Sequence, residues 1–136
     1  MKTLVLFYSY SGNTKRLVNE LAAKESFDIA EILDVRRPGK FKAYTAGCFA
    51  AMKGKAWPIR PLSADFSAYD RIILLASVWA GHPAPPVYAA LELLPEGKSV
   101  EVKMVSGSGD CGCEERLRRI IESKGSTLAG FENIKA

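Results

Sequence analysis

Phe7-Tyr8-Ser9-Tyr10-Ser11-Gly12-Asn13-Thr14 joins two segments of different periodicity. Ahead of it, Thr3 to Tyr8 is a run of apolar and β-favouring residues without Gly or Pro, and it reads as a buried strand. After it, Leu17, Val18, Leu21 and Ala22 recur at helical spacing between Lys15, Arg16, Asn19 and Glu20, the pattern of an amphipathic helix. Strand, tight hydroxyl-rich turn and helix N-terminus therefore follow one another. Such a turn aims unpaired backbone N–H groups and the positive end of a helix dipole at one small volume, which suits a phosphate. Ser9, Ser11 and Thr14 add hydroxyl donors, and Gly12 lets the backbone come close to a ligand.

The loop is not a nucleotide P-loop. That motif needs Gly-x-x-x-x-Gly-Lys-Ser/Thr, with the Lys and the hydroxyl serving a triphosphate and its magnesium. Here no Lys lies inside the turn and only one Gly does. The donors are neutral, as for a terminal monophosphate.

The 136 residues are enough for one domain, 1–136, with a sizeable core, and 48% hydrophobic with 25% charged residues is ordinary for a globular protein. No run approaches the roughly 18 apolar residues of a membrane span. The chain begins directly on a strand, so no signal peptide is expected. Three cysteines, an odd number, then point to reduced thiols and a cytoplasmic setting. The net charge of +4 is unevenly placed. Between Asp34 and Asp65 lie Arg36, Arg37, Lys40, Lys42, Lys53, Lys55 and Arg60, with no acid among them. That basic stretch is either a solvated surface or a field that steers an acidic partner. It contains no nucleic-acid-binding motif, so no nucleic acid is expected as a partner.

Further along, Phe27 to Leu33 reads as a second strand, and 41–53 as a helix whose Ala43, Ala46, Gly47, Ala50 and Ala51 make one side small, with Gly54 to stop it. Arg71 to Ser77 is a third strand, apolar on both faces, as a central parallel strand should be. Pro85-Pro86 opens a helix with Val87, Ala90, Leu91 and Leu94 inward. Ser99 to Ser106 is a fourth strand, Cys113 to Lys124 a helix, and Thr127 to Ile134 a fifth strand. This alternation calls for a parallel α/β sheet with right-handed crossovers. Ligands then bind outside the carboxyl ends of the strands, where Ser9–Thr14, Ser77–Pro85 and Ser106–Gly112 converge.

The second loop offers Trp79 as a stacking face, held in shape by Gly81 and prolines. The third, Gly107-Ser-Gly109-Asp-Cys-Gly112, matches Gly-x-Gly-x-x-Gly, but it falls near the end of the chain rather than in a first βαβ unit, which argues against a dinucleotide. Cys111 and Cys113 sit at a helix N-terminus, where a thiolate is stabilised; they are either a thiol redox relay or two reduced loop residues. With His82 alone beside them they are too few for a metal site. Cys113 and Arg119 have a phosphatase-like spacing, but the residues between them are helical, not a phosphate-cradling loop. His82 either approaches a ligand or faces solvent.

Ser9-x-Ser11-Gly12-x-Thr14 resembles the flavin mononucleotide (FMN) phosphate loop of flavodoxin-like proteins, and Val78-Trp79-Ala80-Gly81-His82-Pro83 resembles their first flavin-ring loop. The resemblance implies a doubly wound flavodoxin-like five-stranded parallel sheet of order 2-1-3-4-5, here without the final C-terminal helix. It implies FMN as cofactor, with Ser9, Tyr10, Ser11, Gly12, Asn13 and Thr14 at the phosphate, Ser77, Val78, Trp79, Ala80 and Gly81 in the second loop, and Ser106, Gly107, Gly109, Asp110 and Cys111 in the third. The third loop departs from the family, since no aromatic occurs between Tyr88 and Phe131 to sandwich the ring. The function implied is an FMN-binding electron carrier or small flavin oxidoreductase; the alternatives are an NAD(P)H-dependent flavin or quinone reductase and a cofactor-free interaction module. A redox partner, acidic in character, would dock near Arg36–Arg60.

In the fourth strand Val100, Val102 and Met104 alternate with Glu101 and Lys103, which gives one dry and one wet face. With no helix to cover that side, Ile72 to Leu75 are expected to leave apolar surface beside the charged row, and a homodimer through this face would cover it.

Overall fold

A computed structural model describes residues 2–10, 12–25, 27–107 and 111–135. Strand β1, Thr3–Tyr8, is buried along its whole length. It pairs in parallel with β2, Asp28–Glu31, on one side and with β3, Arg71–Trp79, on the other. Beyond β3 lie β5, Ser99–Ser106, and β6, Thr127–Lys135, also parallel. The order β2-β1-β3-β5-β6 is the one expected. A sixth strand is added to it: β4, His82–Pro83, folds back antiparallel on Val78 and Trp79. Its hairpin turns on Ala80 and Gly81, both at positive φ (52° and 79°), as a two-residue hairpin that follows the twist of the strands requires. β2 is shorter than the expected 27–33, because past Glu31 the chain leaves the sheet and Asp34 bridges to Ile59.

Helix α1, Asn13–Lys24, sets Val18, with Leu17 and Leu21, on Val5, Phe7, Ile73 and Leu75. The other face of the sheet, Leu4, Leu6, Ile72, Leu74, Val100, Val102 and Met104, packs against three helical segments. The first, α2, covers residues 40–53: α-helical at Lys40–Lys42, π-helical at Ala43–Gly47 and α-helical again at Cys48–Lys53. The second and third are α3, Pro85–Glu92, and α4, Glu114–Ser123. As expected, α2 buries Ala43, Gly47, Ala50 and Ala51 and stops at Gly54 with φ 72°; Ala46 is on the exposed side. The carbonyl of Ala51 accepts hydrogen bonds from Tyr88 Oη and Arg116 Nη1, both at 3.1 Å. A cation at the C-terminal end of a helix is favourably placed, so α3 and α4 both tie α2 down.

The expected apolar strip is absent. Ile72, Ile73, Leu74 and Leu75 are all buried within one chain, Ile73 and Leu75 under α1 and Ile72 and Leu74 under the opposite helices. The register pairs Ile73 with Glu101 and Leu75 with Lys103, so the charged row shares the α1 face. α1 reaches β3 but leaves the row itself part-exposed, where Glu101 pairs with Arg71 and Lys103 with Glu132 (2.7 Å). The apolar motive for a homodimer is therefore removed. No helix follows β6 among the described residues. The β5–β6 register shifts after Val100, leaving Ala129 as an extra residue in β6.

Candidate functional site

The turn after β1 folds on its own side chains. Ser9, nearly buried, accepts the backbone N–H of Gly12 on its Oγ at 3.0 Å. That bond closes the turn and leaves the Ser9 hydroxyl hydrogen available to a ligand. Gly12 adopts φ 96°, in the left-handed region, and nothing stands within 4 Å of where a side chain would begin. The first intrahelical bond runs from Arg16 N to Gly12 O at 3.1 Å, so the N–H groups of Asn13, Thr14 and Lys15 precede the helical ladder. Thr14 is 2% exposed, and its Oγ1 lies 3.4 Å from Ser77 Oγ at the end of β3. Ser77 Oγ in turn donates to the Tyr8 carbonyl at 3.3 Å.

Around this turn a cavity of about 160 Å³ is lined from all three loops: Tyr10, Asn13 and Thr14 from the first, Ser77, Val78 and Trp79 from the second, and Ser106 and Gly107 from the third, with Val105. A second, more apolar cavity of about 330 Å³ shares Tyr10, Val78 and Trp79 with it and is completed by Ala80 and by α2 through Lys40, Ala43, Tyr44 and Cys48. The convergence expected at the carboxyl ends of the strands is thus present. Gly81 and Cys111 lie beside it: Cys111 Sγ is 3.1 Å from the Gly81 carbonyl. Ser11, Gly109 and Asp110 lie outside the described residues.

Trp79 differs from expectation. Its ring is only 8% exposed and meets three aromatic edges, those of Tyr8, Tyr10 and Trp57, at centroid distances of 6.2, 5.5 and 6.1 Å. It is a packed wall between two cavities rather than an open platform. Gly47 of α2 lies against it, and a β-carbon there would stand 2.5 Å from Cζ3. Trp57, from the basic segment, belongs to the same cluster. The more accessible aromatics lining the apolar cavity are Tyr10, half-buried with its hydroxyl donating to the Pro38 carbonyl at 2.9 Å, and Tyr44, 80% exposed. Tyr44 was missed in the sequence, although Phe41, Tyr44, Phe49 and Met52 stand opposite the small side of the same helix.

Two further departures concern the second and third loops. Cys111 and Cys113, expected as thiols, form a disulfide, and Cys48 is the free cysteine. His82 lines neither cavity; its Nδ1 accepts from Arg116 Nη1 at 3.3 Å. Burial, and then the Arg116 charge, lower the His82 pKa and favour the neutral ring. Next to the turn between β1 and α1, a third cavity of about 200 Å³ is lined by Tyr8, Ser9, Asp34, Arg37 and Arg60, among others. Tyr8 Oη donates to Asp34 Oδ2 at 2.8 Å, and burial followed by that bond pushes the Tyr8 hydroxyl far above its usual value. No group of three or more potential metal ligands occurs among the described residues, and no helix there is long and apolar enough to cross a membrane.

No protein-family model matches the chain, and no curated protein matches it by sequence. Solved structures do. A Lactobacillus acidophilus flavoprotein in complex with FMN superposes with TM-score 0.80 at 22% identity, over 96% of this chain and 91% of its own. A Bacteroides eggerthii protein, assigned provisionally as a flavoprotein, gives 0.82 at 17% identity over 96% and 86%. A Pseudomonas aeruginosa flavodoxin carrying one substitution gives 0.55 at 17% over 100% and 85%. At these identities the likeness is one of fold, and the fold is flavodoxin-like.

Proposed function

We propose that this flavodoxin-like chain binds FMN at the two neighbouring cavities and passes electrons to a partner protein. The observation that carries the reading is a cavity to which all three loops contribute, lined by Thr14 and Ser77 hydroxyls, by Asn13 at the start of α1 and by the aromatic rings of Tyr10 and Trp79. The donor set fits a monophosphate: Ser9, Thr14 and the N–H groups at the start of α1 offer hydrogen bonds and helix-dipole charge without a lysine in the turn. Tyr10, Val78 and Trp79 offer the apolar wall that a flat ring system needs, and Ala80 of the positive-φ hairpin lines the same cavity. Bound FMN would supply the reversible uptake of electrons; the protein holds it, orients it and tunes its potential. The FMN complex of the Lactobacillus acidophilus flavoprotein, with the same fold, supports the choice of ligand.

The partner reading rests on α2. Phe41 and Tyr44 are 83% and 80% exposed, and Phe49 and Met52 are also on the surface, among Lys40, Lys42, Lys53 and Lys55. An apolar centre with a basic rim, at the mouth of the apolar cavity, matches an acidic redox protein with an apolar contact. A second reading, a nicotinamide-fed flavin or quinone reductase, is favoured by Arg37 and Arg60 in the cavity beside Ser9, where they could meet a phosphate.

The test is retention of flavin by purified protein. FMN should co-elute with the chain and riboflavin should bind more weakly; equal binding of the two removes the phosphate site, and no binding removes the reading. Bleaching of the flavin band by NADH or NADPH without air would favour the reductase, and its persistence the carrier.

A further inference from the structure

We infer that Cys111 and Cys113 form a second two-electron redox centre that cycles between disulfide and dithiol, taking its electrons from flavin reduced in the adjacent site. The inference rests on the FMN reading above. The pair lies in the loop between β5 and α4, whose first residues Ser106 and Gly107 line the three-loop cavity. Its Cys111 sulfur reaches across to the carbonyl of Gly81, at the tip of the hairpin beside Ala80, 3.1 Å away. The sulfurs therefore stand between the second and third loops rather than at a distant staple point.

A structural role explains the bridge poorly. With a sequence separation of 2 it closes about the shortest loop a disulfide can, and the gain from restraining the unfolded chain grows with loop length. The two cysteines are also shielded, at 7% and 0% exposure, so soluble thiols have little access to the bond. An electron source within the fold suits it better. The net step balances: the S–S bond breaks, two S–H groups form, and reduced flavin gives up two electrons and two protons to become oxidised flavin.

The surroundings suit both states. As a thiol, Cys111 would donate its S–H to the Gly81 carbonyl, an acceptor already within reach. Cys113 precedes α4 and its carbonyl accepts the Leu117 N–H at 3.0 Å, so its sulfur is close to a helix N-terminus, which favours a thiolate. Glu114 and Glu115 in the first turn act against this, but both carboxylates pair with Arg118, at 3.0 and 3.7 Å.

The experiment uses the full chain loaded with FMN, with flavin retention established first by gel filtration. The flavin is reduced by light and a deazaflavin without air, the sample is quenched in acid, and thiols are alkylated under denaturing conditions and counted by mass spectrometry. Oxidised protein should show one thiol, Cys48, and reduced protein three. Wild type should consume twice the reductant per flavin that the Cys111→Ser/Cys113→Ser variant does. A fully reduced flavin with the count still at one overturns the proposal, as does a count of three that persists in air-oxidised, FMN-loaded protein. The wild-type count needs no variant to fold. If no flavin is retained, the failure lies with the FMN reading itself, and the proposal falls with it.

Discussion

Gly47 of α2 lies against the indole of Trp79 so closely that a β-carbon would stand 2.5 Å from Cζ3 and 3.2 Å from Cη2 of Trp57. The contact couples the basic segment to the wall of the candidate flavin site. The indole is itself packed among three other aromatic rings. Gly47→Ala should therefore cost about 1–3 kcal/mol, as overpacking in a filled core does. It should also weaken FMN binding, because either Trp79 or α2 must shift. Thermal unfolding and a flavin titration measure the two effects; an unchanged Tm would mean that the helix lifts away freely.

Thr14→Ala should weaken FMN by about 1–3 kcal/mol, the cost of a charge-assisted hydrogen bond, and leave riboflavin affinity unchanged. Folding should change little, since Ser77 keeps its bond to the Tyr8 carbonyl. Fluorescence titration of the two flavins against both proteins is sufficient. Equal losses for FMN and riboflavin would move the phosphate elsewhere.

His82 sets a pH dependence. Its folded pKa lies below the ordinary 6.5, so between the two values the unfolded chain binds more protons than the folded one. Its contribution to stability is then complete above about pH 6.5 and declines as the pH falls toward the depressed folded value. Glu101, whose pKa is lowered first by its bond to Arg71, loses its contribution in the carboxylate range, in a more acidic window. Urea unfolding across pH should show the earlier decline in wild type and not in His82→Gln. A variant with the same slope near neutrality would reassign the titration.

The basic rim predicts how reduced protein meets charged acceptors. Anionic ferricyanide should be reduced faster than cationic hexaamminecobalt relative to their driving forces, and salt should narrow the difference. Replacing Lys40, Lys42 and Lys53 with Glu should slow the anionic acceptor by about tenfold or more at low ionic strength, within the range of electrostatic steering. Stopped-flow traces of flavin reoxidation report the rates. Salt-independent rates would leave the lysines without a steering role.

The strand, turn and helix that frame the candidate site were legible from Phe7 to Thr14, because each part depends on local chemistry: an apolar run makes β1, a hydroxyl and glycine turn follows, and a helical stripe makes α1. The sheet order came from the family resemblance that those residues support. Contacts between segments distant in sequence leave no periodic trace. Hence Trp57, from the basic segment, packs on Trp79 without any sign of it in the sequence, and Trp79 itself is a wall and not a platform. The disulfide was missed for another reason: an odd cysteine count speaks of the surrounding compartment, not of two sulfurs placed together by a short turn. The exposed aromatics of α2 were legible and overlooked, since the small residues on the opposite side explain the packing alone. The apolar strip on β3 failed because α1 is wide enough to cover Ile73 and Leu75 without a second helix beside it.

The extra residue at Ala129 bears on how the edge of the sheet would meet another strand. β6 is the last strand in the sheet and nine residues long, with a border of backbone groups on which another chain could grow. An added residue bends a strand and increases its local twist, so a straight visiting strand would meet an interruption at Ala129. The same long rim that extends the sheet is in this way made a poorer template for a further strand.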